Sequence, residues 1–155
     1  MLEEPELYAW LKFRCDTVTK YMKELSEAIH GANRKIDFRF NTCWQEQELI
    51  GQNLKAIAPY VDSIRMMDYS EQYGDPELVS RKGLWLANVR RQVGYDKPII
   101  GGIAPRAKAT PELIRQGIRI LCKGGVDGLS YGFYDGACFA NLSAIKDAMA
   151  ENEVT

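Results

Sequence analysis

The chain has 155 residues, 46% of them hydrophobic, and a formal net charge of −1 at pH 7. This length fits one domain with a hydrophobic core, so residues 1–155 are interpreted as a single domain. A charge so close to zero gives no electrostatic reason to expect nucleic acid or an anionic membrane as a partner. No apolar run approaches the ~20 residues of a membrane-spanning helix, so no membrane partner is predicted. The acidic N-terminus lacks a signal-peptide core, which places a complete chain of this sequence in the cytoplasm.

The cysteines give no sign of a metal site or a disulfide framework. Cys15, Cys43, Cys122 and Cys138 form no C-x-x-C pair, and His30 is the only histidine. The simplest interpretation is four reduced thiols that serve mainly as packing groups. Neither a metal nor a cofactor is predicted.

A unit of strand followed by helix occurs four times after one long helix. The leading helix is expected from Pro5 to His30, with Gly31 as its stop, so that it occupies residues 1–31. The four units occupy residues 36–151. Their strands are expected at 35–42, 61–69, 97–105 and 126–133, and their helices at 47–58, 75–93, 111–123 and 139–151.

This order predicts an α/β fold with parallel strands joined by right-handed crossovers. The unit length is close to the ~31 residues obtained when ~250 residues form the eight units of a (β/α)8 barrel. We therefore predict half of a (β/α)8 (TIM) barrel, in which helices cover one sheet face. The other face would need a second copy, a missing barrel half or a rearrangement to cover it, so a homo-oligomer or a lost half is expected. The alternative is an open three-layer sheet with helices on both faces.

Strand alternation predicts which side chains point into the barrel. On the first strand these are Arg39, Asn41 and Cys43, and on the second they are Arg65, Met67 and Tyr69. Arginines in the middle of strands are uncommon unless they are paired. Asp37 and Asp127 are candidate partners. An anion- or sugar-binding lumen and a buried ion pair are both consistent with this pattern.

In a barrel, binding and catalytic residues follow the carboxyl ends of the strands. Trp44, Tyr69, Tyr131 and Tyr134 could form an aromatic platform that stacks on sugars, or they could be ordinary packing groups. Arg106 and Phe133 also follow strands. The acids nearest the expected mouth are Glu46, Asp68, Glu71 and Asp135.

Three motifs resemble glycosidase-type barrels. VDSIRMMDY at 61–69 resembles the sixth strand of chitinase-like and related barrels, where VD-x-I-x-x-M-x-Y is common. WLKFRCDTVT at 10–19 is similar to the helix after the fourth strand in bacterial glycosidase-like barrel proteins, and GVDGLSY at 125–131 to their last strand. The resemblance implies the C-terminal half of such a barrel, with carbohydrate binding or glycoside hydrolysis as its function.

The resemblance also implies roles for individual residues. Asp68 would be the best catalytic carboxylate, and the predicted substrate contacts are Arg39, Asn41, Trp44, Arg65, Met67, Tyr69, Tyr131 and Tyr134. The D-x-x-D-x-D-x-E strand that carries the acid in chitinase-like enzymes is missing from the sequence. Ser70 stands where chitinases often have Asp, and the third strand ends in Ala104-Pro105-Arg106, without a carboxylate. The chain is therefore expected to be an incomplete catalyst on its own.

Two further functions stay open. One is a non-catalytic half-barrel that associates with itself. The other is a phosphate-ligand barrel, because IGGI at 100–103 and GGVDGLSYG at 124–132 resemble the seventh and eighth strands of phosphate-binding barrels. In those barrels, backbone N–H groups of glycine-rich loops hold the phosphate.

Overall fold

The computed structural model describes residues 5–152, apart from the side chain of Tyr134. Its four strands form one sheet in the order β1-β2-β3-β4, and every neighbouring pair is parallel. The strands are β1 (Arg39–Thr42), β2 (Ser63–Met66), β3 (Ile99–Ile103) and β4 (Gly128–Tyr131). This confirms the predicted α/β fold, with a leading helix followed by four parallel β/α units.

Six α-helices accompany the described sheet. They are α1 (Pro5–Ala32), α2 (Leu54–Ile57), α3 (Pro76–Ser80), α4 (Lys82–Val93), α5 (Pro111–Lys123) and α6 (Phe139–Glu151). Short 3-10 turns occupy Gln47–Ile50, Ala58–Tyr60, Ser70–Tyr73 and Tyr134–Gly136. The bounds of α5 and α6 are those predicted. All four strands are shorter than predicted: β1 begins four residues later than expected but ends at Thr42 as predicted, and the other three lose residues at both ends.

Two predicted helices are interrupted. The single helix expected at 47–58 was wrong, because Glu46 and Gly51 adopt left-handed backbone angles (φ 52° and 84°) that isolate a 3-10 turn between them. The chain then restarts a helix at Asn53, whose side chain accepts a hydrogen bond from the N–H of Ala56. Likewise, the helix expected at 75–93 divides at Arg81 into α3 and α4.

The core lies between the sheet and its covering helices. Ile64 and Met66 of β2 and Ile99 and Ile103 of β3 are fully buried on this side. They pack with apolar side chains of the helices, among them Leu86, Val89, Ile114, Ile118 and Leu121. Burial of one such large side chain stabilises a fold by about 1.5–3 kcal/mol.

The opposite sheet face, called the inner face below, carries polar side chains and is partly open. Register places these residues on it: Arg39, Asn41, Ser63, Arg65, Ile100, Gly102, Gly128 and Ser130. Arg39 and Asn41 are exposed, and Arg65, Ile100 and Ser130 are partly exposed. An open three-layer sheet would cover this face with helices, so the described residues have the arrangement of half a barrel.

At the amino ends of the strands, Arg90 of α4 holds several segments together. Its guanidinium donates to the carbonyls of Lys97 (2.7 Å) and Gly125 (2.9 Å) and to the Asp127 carboxylate (3.1 Å). Asp127 also accepts from the N–H of Ile99 at 2.8 Å. Asp127 is therefore the partner of Arg90, and its predicted pairing with an arginine of the lumen was wrong.

Helix α1 packs on the segment after β1. Arg14 donates to the carbonyl of Leu49 at 2.7 Å, and the buried Cys15 thiol approaches the carbonyl of Glu48. On the opposite side of α1, the side chains of Trp10, Phe13 and Tyr21 are exposed. Within residues 5–152, no helix combines the length and apolar character that crossing a bilayer requires.

Candidate binding site at the carboxyl ends of the strands

Arg39 lies on the inner face inside a closed polar network. Its Nη2 donates to Asp37 Oδ2 at 2.6 Å and its Nε donates to Ser63 Oγ at 3.1 Å. Ser63 Oγ in turn donates to Asp37 Oδ1 at 3.1 Å. The predicted pairing of Arg39 with Asp37 is confirmed, so the Asp37 carboxylate balances the charge of Arg39. Because both side chains are about half exposed, solvent screens the pair.

Arg65 lies beside Asn41 in the register of the sheet but has a different environment. Its Nη2 donates to the hydroxyl oxygen of Tyr69 at 2.9 Å. Its Nε is shielded from solvent and has no hydrogen-bond partner among the described residues. No carboxylate of residues 5–152 forms a salt bridge with Arg65. This guanidinium therefore carries an unbalanced positive charge on the inner face.

The Tyr69 ring lies over two glycines. A Cβ on Gly102 would lie 2.7 Å from the Met66 carbonyl oxygen and 3.1 Å from the ring, and a Cβ on Gly132 would lie 2.9 Å from the ring. Both glycines thus leave the space that the ring occupies. Tyr69 stands at the start of the 3-10 turn after β2 and is partly exposed. With Arg65 bonded to its hydroxyl, the ring is held across the ends of β3 and β4.

Phe133 and Arg106 extend this group toward solvent. The Phe133 ring centroid lies 5.4 Å from that of Tyr69, with the planes at 71°. The Arg106 guanidinium carbon lies 3.4 Å from the Phe133 centroid, and Arg106 donates to the side-chain oxygen of Gln72. The sequence placed both residues after strands but assigned them no contact. The left-handed backbone of Phe133 (φ 61°), which no local pattern indicates, is part of this geometry.

The remaining predicted aromatic contacts are not part of this group. Trp44 packs edge-on against Trp85 of α4, with ring centroids 4.1 Å apart. Tyr131 pairs in register with the buried Ile103, and its hydroxyl contacts the Met149 sulfur of α6 at 2.7 Å. Burial raises the pKa of Tyr131 to about 12. Tyr131 therefore faces the helices rather than the lumen.

The last two predicted substrate contacts are Met67 and Tyr134. The N–H of Met67 donates to the carbonyl of Thr42 at 3.0 Å, which extends the β1–β2 pairing, and the Met67 side chain is partly exposed. The predicted contact of Tyr134 depends on a side chain outside the described part of the structure.

Asp68, the predicted catalytic carboxylate, is fully buried with Glu71 and Lys82. Lys82 Nζ lies 3.1 Å from Asp68 Oδ1 and 3.0 Å from Glu71 Oε1. It also donates to the carbonyls of Asp68 (2.8 Å) and Gly102 (3.0 Å). These three side chains, called the buried charge cluster below, are closed to a substrate. The expectation that Asp68 and Glu71 lie at an open mouth was wrong.

The cluster depends on a close approach of α5. A Cβ on Gly117 would lie 2.2 Å from Glu71 Oε1, so only glycine fits there. Burial raises the pKa of Glu71, and the adjacent Lys82 opposes this shift. The sequence did not reveal Lys82, because a lysine within an amphipathic helix is usually solvent-facing. The Asp68-x-x-Glu71 spacing gives no sign of the distant cation.

Among the other acids, Glu46 and Asp135 are exposed. Within residues 5–152, no three His, Cys, Asp or Glu side chains are grouped so that they could hold a metal. The four cysteines are free thiols.

The glycines of the phosphate-barrel motif do not form the loop at the carboxyl ends of the strands that this motif requires. Gly124 and Gly125 follow α5 at the amino ends of the strands. Gly101 and Gly102 lie within β3, where a Cβ would approach Leu121 and Tyr69 respectively. These positions give the glycines packing roles instead of a shared loop at the carboxyl ends.

No protein-family model, curated protein or solved structure matches this chain. The likeness to glycosidase-type barrels is therefore carried by the short motifs at 10–19, 61–69 and 125–131 alone.

Proposed function

We propose that this chain is a glycoside hydrolase-like half-barrel that binds carbohydrate on the inner face, at the carboxyl ends of its strands. The observation that carries the proposal is the Tyr69 ring, held over Gly102 and Gly132 with its hydroxyl bonded to Arg65. In barrel enzymes, binding groups collect at this end of the sheet.

The chemistry around Tyr69 suits a sugar. An aromatic ring offers an apolar surface to sugar C–H groups, while hydroxyl groups need nearby donors and acceptors. Asn41 of β1, Arg65 of β2 and Ser130 of β4 supply those groups on the same face of the sheet. All three are exposed or partly exposed, so a ligand can reach them.

The same geometry supports an incomplete catalyst. Glycoside hydrolysis usually requires two carboxyl groups flanking the bond, about 5–9.5 Å apart. Asp68 and Glu71 are both fully buried and bonded to Lys82, so neither can protonate a glycosidic oxygen. Hydrolysis would need a carboxylate from another part of a complete barrel.

A glycan-binding screen, followed by calorimetry on each positive ligand, tests the proposal. The variant Tyr69→Ala is expected to lower affinity at least ~10-fold, which corresponds to about 1.4 kcal/mol. Tyr73→Ala is the matched control, because Tyr73 lies in the same 3-10 turn and is 56% exposed. The intact chain alone is expected to leave aryl glycosides uncleaved. Equal affinities of wild type and Tyr69→Ala, or no glycan bound at millimolar concentration, would contradict the proposal.

A second candidate, a self-associating half-barrel, is favoured by the two sheet edges. Strands β1 and β4 each pair on one side only in the described sheet. A parallel sheet that is open at both edges and on one face can close by joining a second copy. Light scattering at micromolar concentration is expected to give the mass of a dimer. A well-folded monomer across that range would argue against this candidate.

A further inference from the structure

Among the arginines near the sheet, Arg65 stands out by its lack of a counter-charge. Arg39 is paired with Asp37, and Arg90 with Asp127. Arg65 has only the neutral hydroxyl of Tyr69 as a partner, and its Nε is unbonded among the described residues. A guanidinium nitrogen shielded from water, as this Nε is, usually has an anionic or carbonyl partner. This site therefore lacks a negatively charged group.

The orientation of Arg65 suits an incoming oxyanion. Its Nη2 is bonded to Tyr69, which fixes the guanidinium beside the ring. A guanidinium presents several N–H donors in one plane and binds carboxylate or phosphate oxygens in pairs. An anionic group next to a sugar ring could thus contact Arg65 while the ring packs on Tyr69.

The described surroundings of Tyr69 add a second guanidinium. Arg106 lies on Phe133 beyond Tyr69 and bonds only to the neutral side chain of Gln72 among the described residues. The nearby carboxylates Asp68 and Glu71 are fully buried and bonded to Lys82. The guanidiniums of Arg65 and Arg106 therefore flank the Tyr69–Phe133 pair, and the exposed Asp135 follows in the 3-10 turn at Tyr134–Gly136.

We propose that the ligand of this face is an acidic sugar, whose carboxylate binds Arg65 while its ring packs on Tyr69. The inference rests on the proposed carbohydrate function and adds the charge of the substrate. A carboxylate and a phosphate share the oxyanion chemistry that Arg65 recognises, so the test includes both. A carboxylate of a missing barrel half or a second copy would occupy the same position and would exclude the sugar.

Calorimetric titration with four probes separates these ligands: glucuronate, its methyl ester, glucose and inorganic phosphate. The methyl ester has the same ring without the charge. Glucuronate is expected to bind at least ~10-fold more tightly than the ester or glucose. Phosphate is expected to bind more weakly than glucuronate, because it lacks a ring for Tyr69. Equal affinities for glucuronate and its ester, or phosphate as the tightest ligand, would overturn the inference.

Variants of Arg65 test whether this side chain causes the preference for glucuronate over its ester. Arg65→Gln is expected to erase the preference for glucuronate over its ester, and Arg65→Lys to retain part of it. Arg81→Gln is the control, because Arg81 is exposed and pairs with Glu77 on the surface. If Arg65→Gln keeps the preference, the assignment to Arg65 is wrong. The comparison of glucuronate with its methyl ester uses wild type alone, so it tests the preference for an acidic sugar even if a variant fails to fold.

The role of Tyr69 in binding distinguishes a wrong charge preference from a wrong carbohydrate function. If neutral sugars bind in a manner that Tyr69→Ala abolishes, and glucuronate binds no better, then the charge preference is wrong and the carbohydrate function stands. If none of the sugars binds in a way that depends on Tyr69, the proposed function itself fails.

Discussion

Lys82 and Arg65 carry the same charge near the same end of the sheet, on opposite faces, and differ in every contact. Lys82 is fully buried and bonded to two carboxylates and two carbonyls. Arg65 is partly exposed and bonded to one hydroxyl. A satisfied buried cation stabilises a structure, whereas an unsatisfied cation on an open face has donors left for a ligand.

The two regions are connected through the backbone. Lys82 holds the carbonyl of Asp68, the residue before Tyr69, and the carbonyl of Gly102, over which the Tyr69 ring lies. The buried charge cluster therefore fixes, from the helix side, both the start of the turn and the strand that support the ring. We interpret the cluster as the support of the inner-face site.

Removing the cation of the cluster is expected to have the largest effect. Lys82→Met leaves Asp68 and Glu71 buried without a counter-charge, which costs about 3–5 kcal/mol of unfolding free energy. Urea denaturation at neutral pH measures the loss. Arg81→Met, at the next position along the chain, is the control and is expected to cost less than about 1 kcal/mol, because its ion pair is exposed. Similar losses for the two variants would show that the cluster does not support the fold.

Changing one glycine under the ring is expected to separate binding from stability. In Gly132→Ala the three atoms nearest to the new Cβ would all belong to the Tyr69 side chain, from 2.9 Å, so the ring must move. Such overpacking typically costs about 1–3 kcal/mol, and we expect Tyr69-dependent sugar binding to be lost. Gly128→Ala, at the start of β4, is the control, because its Cβ would meet only the flexible end of Ile100. Calorimetry and thermal melting of both variants check this, and wild-type affinity in Gly132→Ala would contradict the position assigned to the ring.

The smallest expected effect is a pH dependence within the cluster. Burial raises the pKa of Glu71 in the folded chain above its ordinary value of 4.5. The stability that this carboxyl contributes is therefore full below that value and decreases as pH rises through the folded pKa. Glu71→Gln removes the titration, so its stability relative to wild type should increase as pH rises above 4.5. Urea midpoints measured across that range test the sign, and a relative stability that decreases would mean the pKa is lowered instead.

The sequence predicted those parts of the site that depend on local periodicity. Alternation along β1 and β2 placed Arg39, Asn41 and Arg65 on the correct face, because successive side chains of a strand point to opposite faces, and the hydrogen bond from Arg65 puts Tyr69 on that face too. The same rule applied to β4 would have assigned Tyr131 to the face of Leu129, toward the helices. That misplaced contact was thus avoidable from sequence.

Other features depend on contacts between distant residues. Lys82 meets Asp68 and Glu71 because α4 packs behind β2 and β3, and nothing in the helix sequence specifies that partner. The same holds for Gly117, whose role follows from where Glu71 lies in the fold. Alternation along 61–69 places Asp68 on the side of Ile64 and Met66, toward the helices, so its direction was available from the sequence, whereas its pairing with Lys82 was not.

The glycines under Tyr69 have a consequence for the time course of ligand binding. Gly102, Gly132 and the Arg65 hydrogen bond hold the ring in place before any ligand arrives. Folding has already removed the rotational freedom of that side chain, so a ligand spends none of its binding energy on ordering it. If the proposed function holds, a ligand that packs on this ring needs no preceding rearrangement of Tyr69, and we expect differences in affinity among ligands to arise mainly from their dissociation rates.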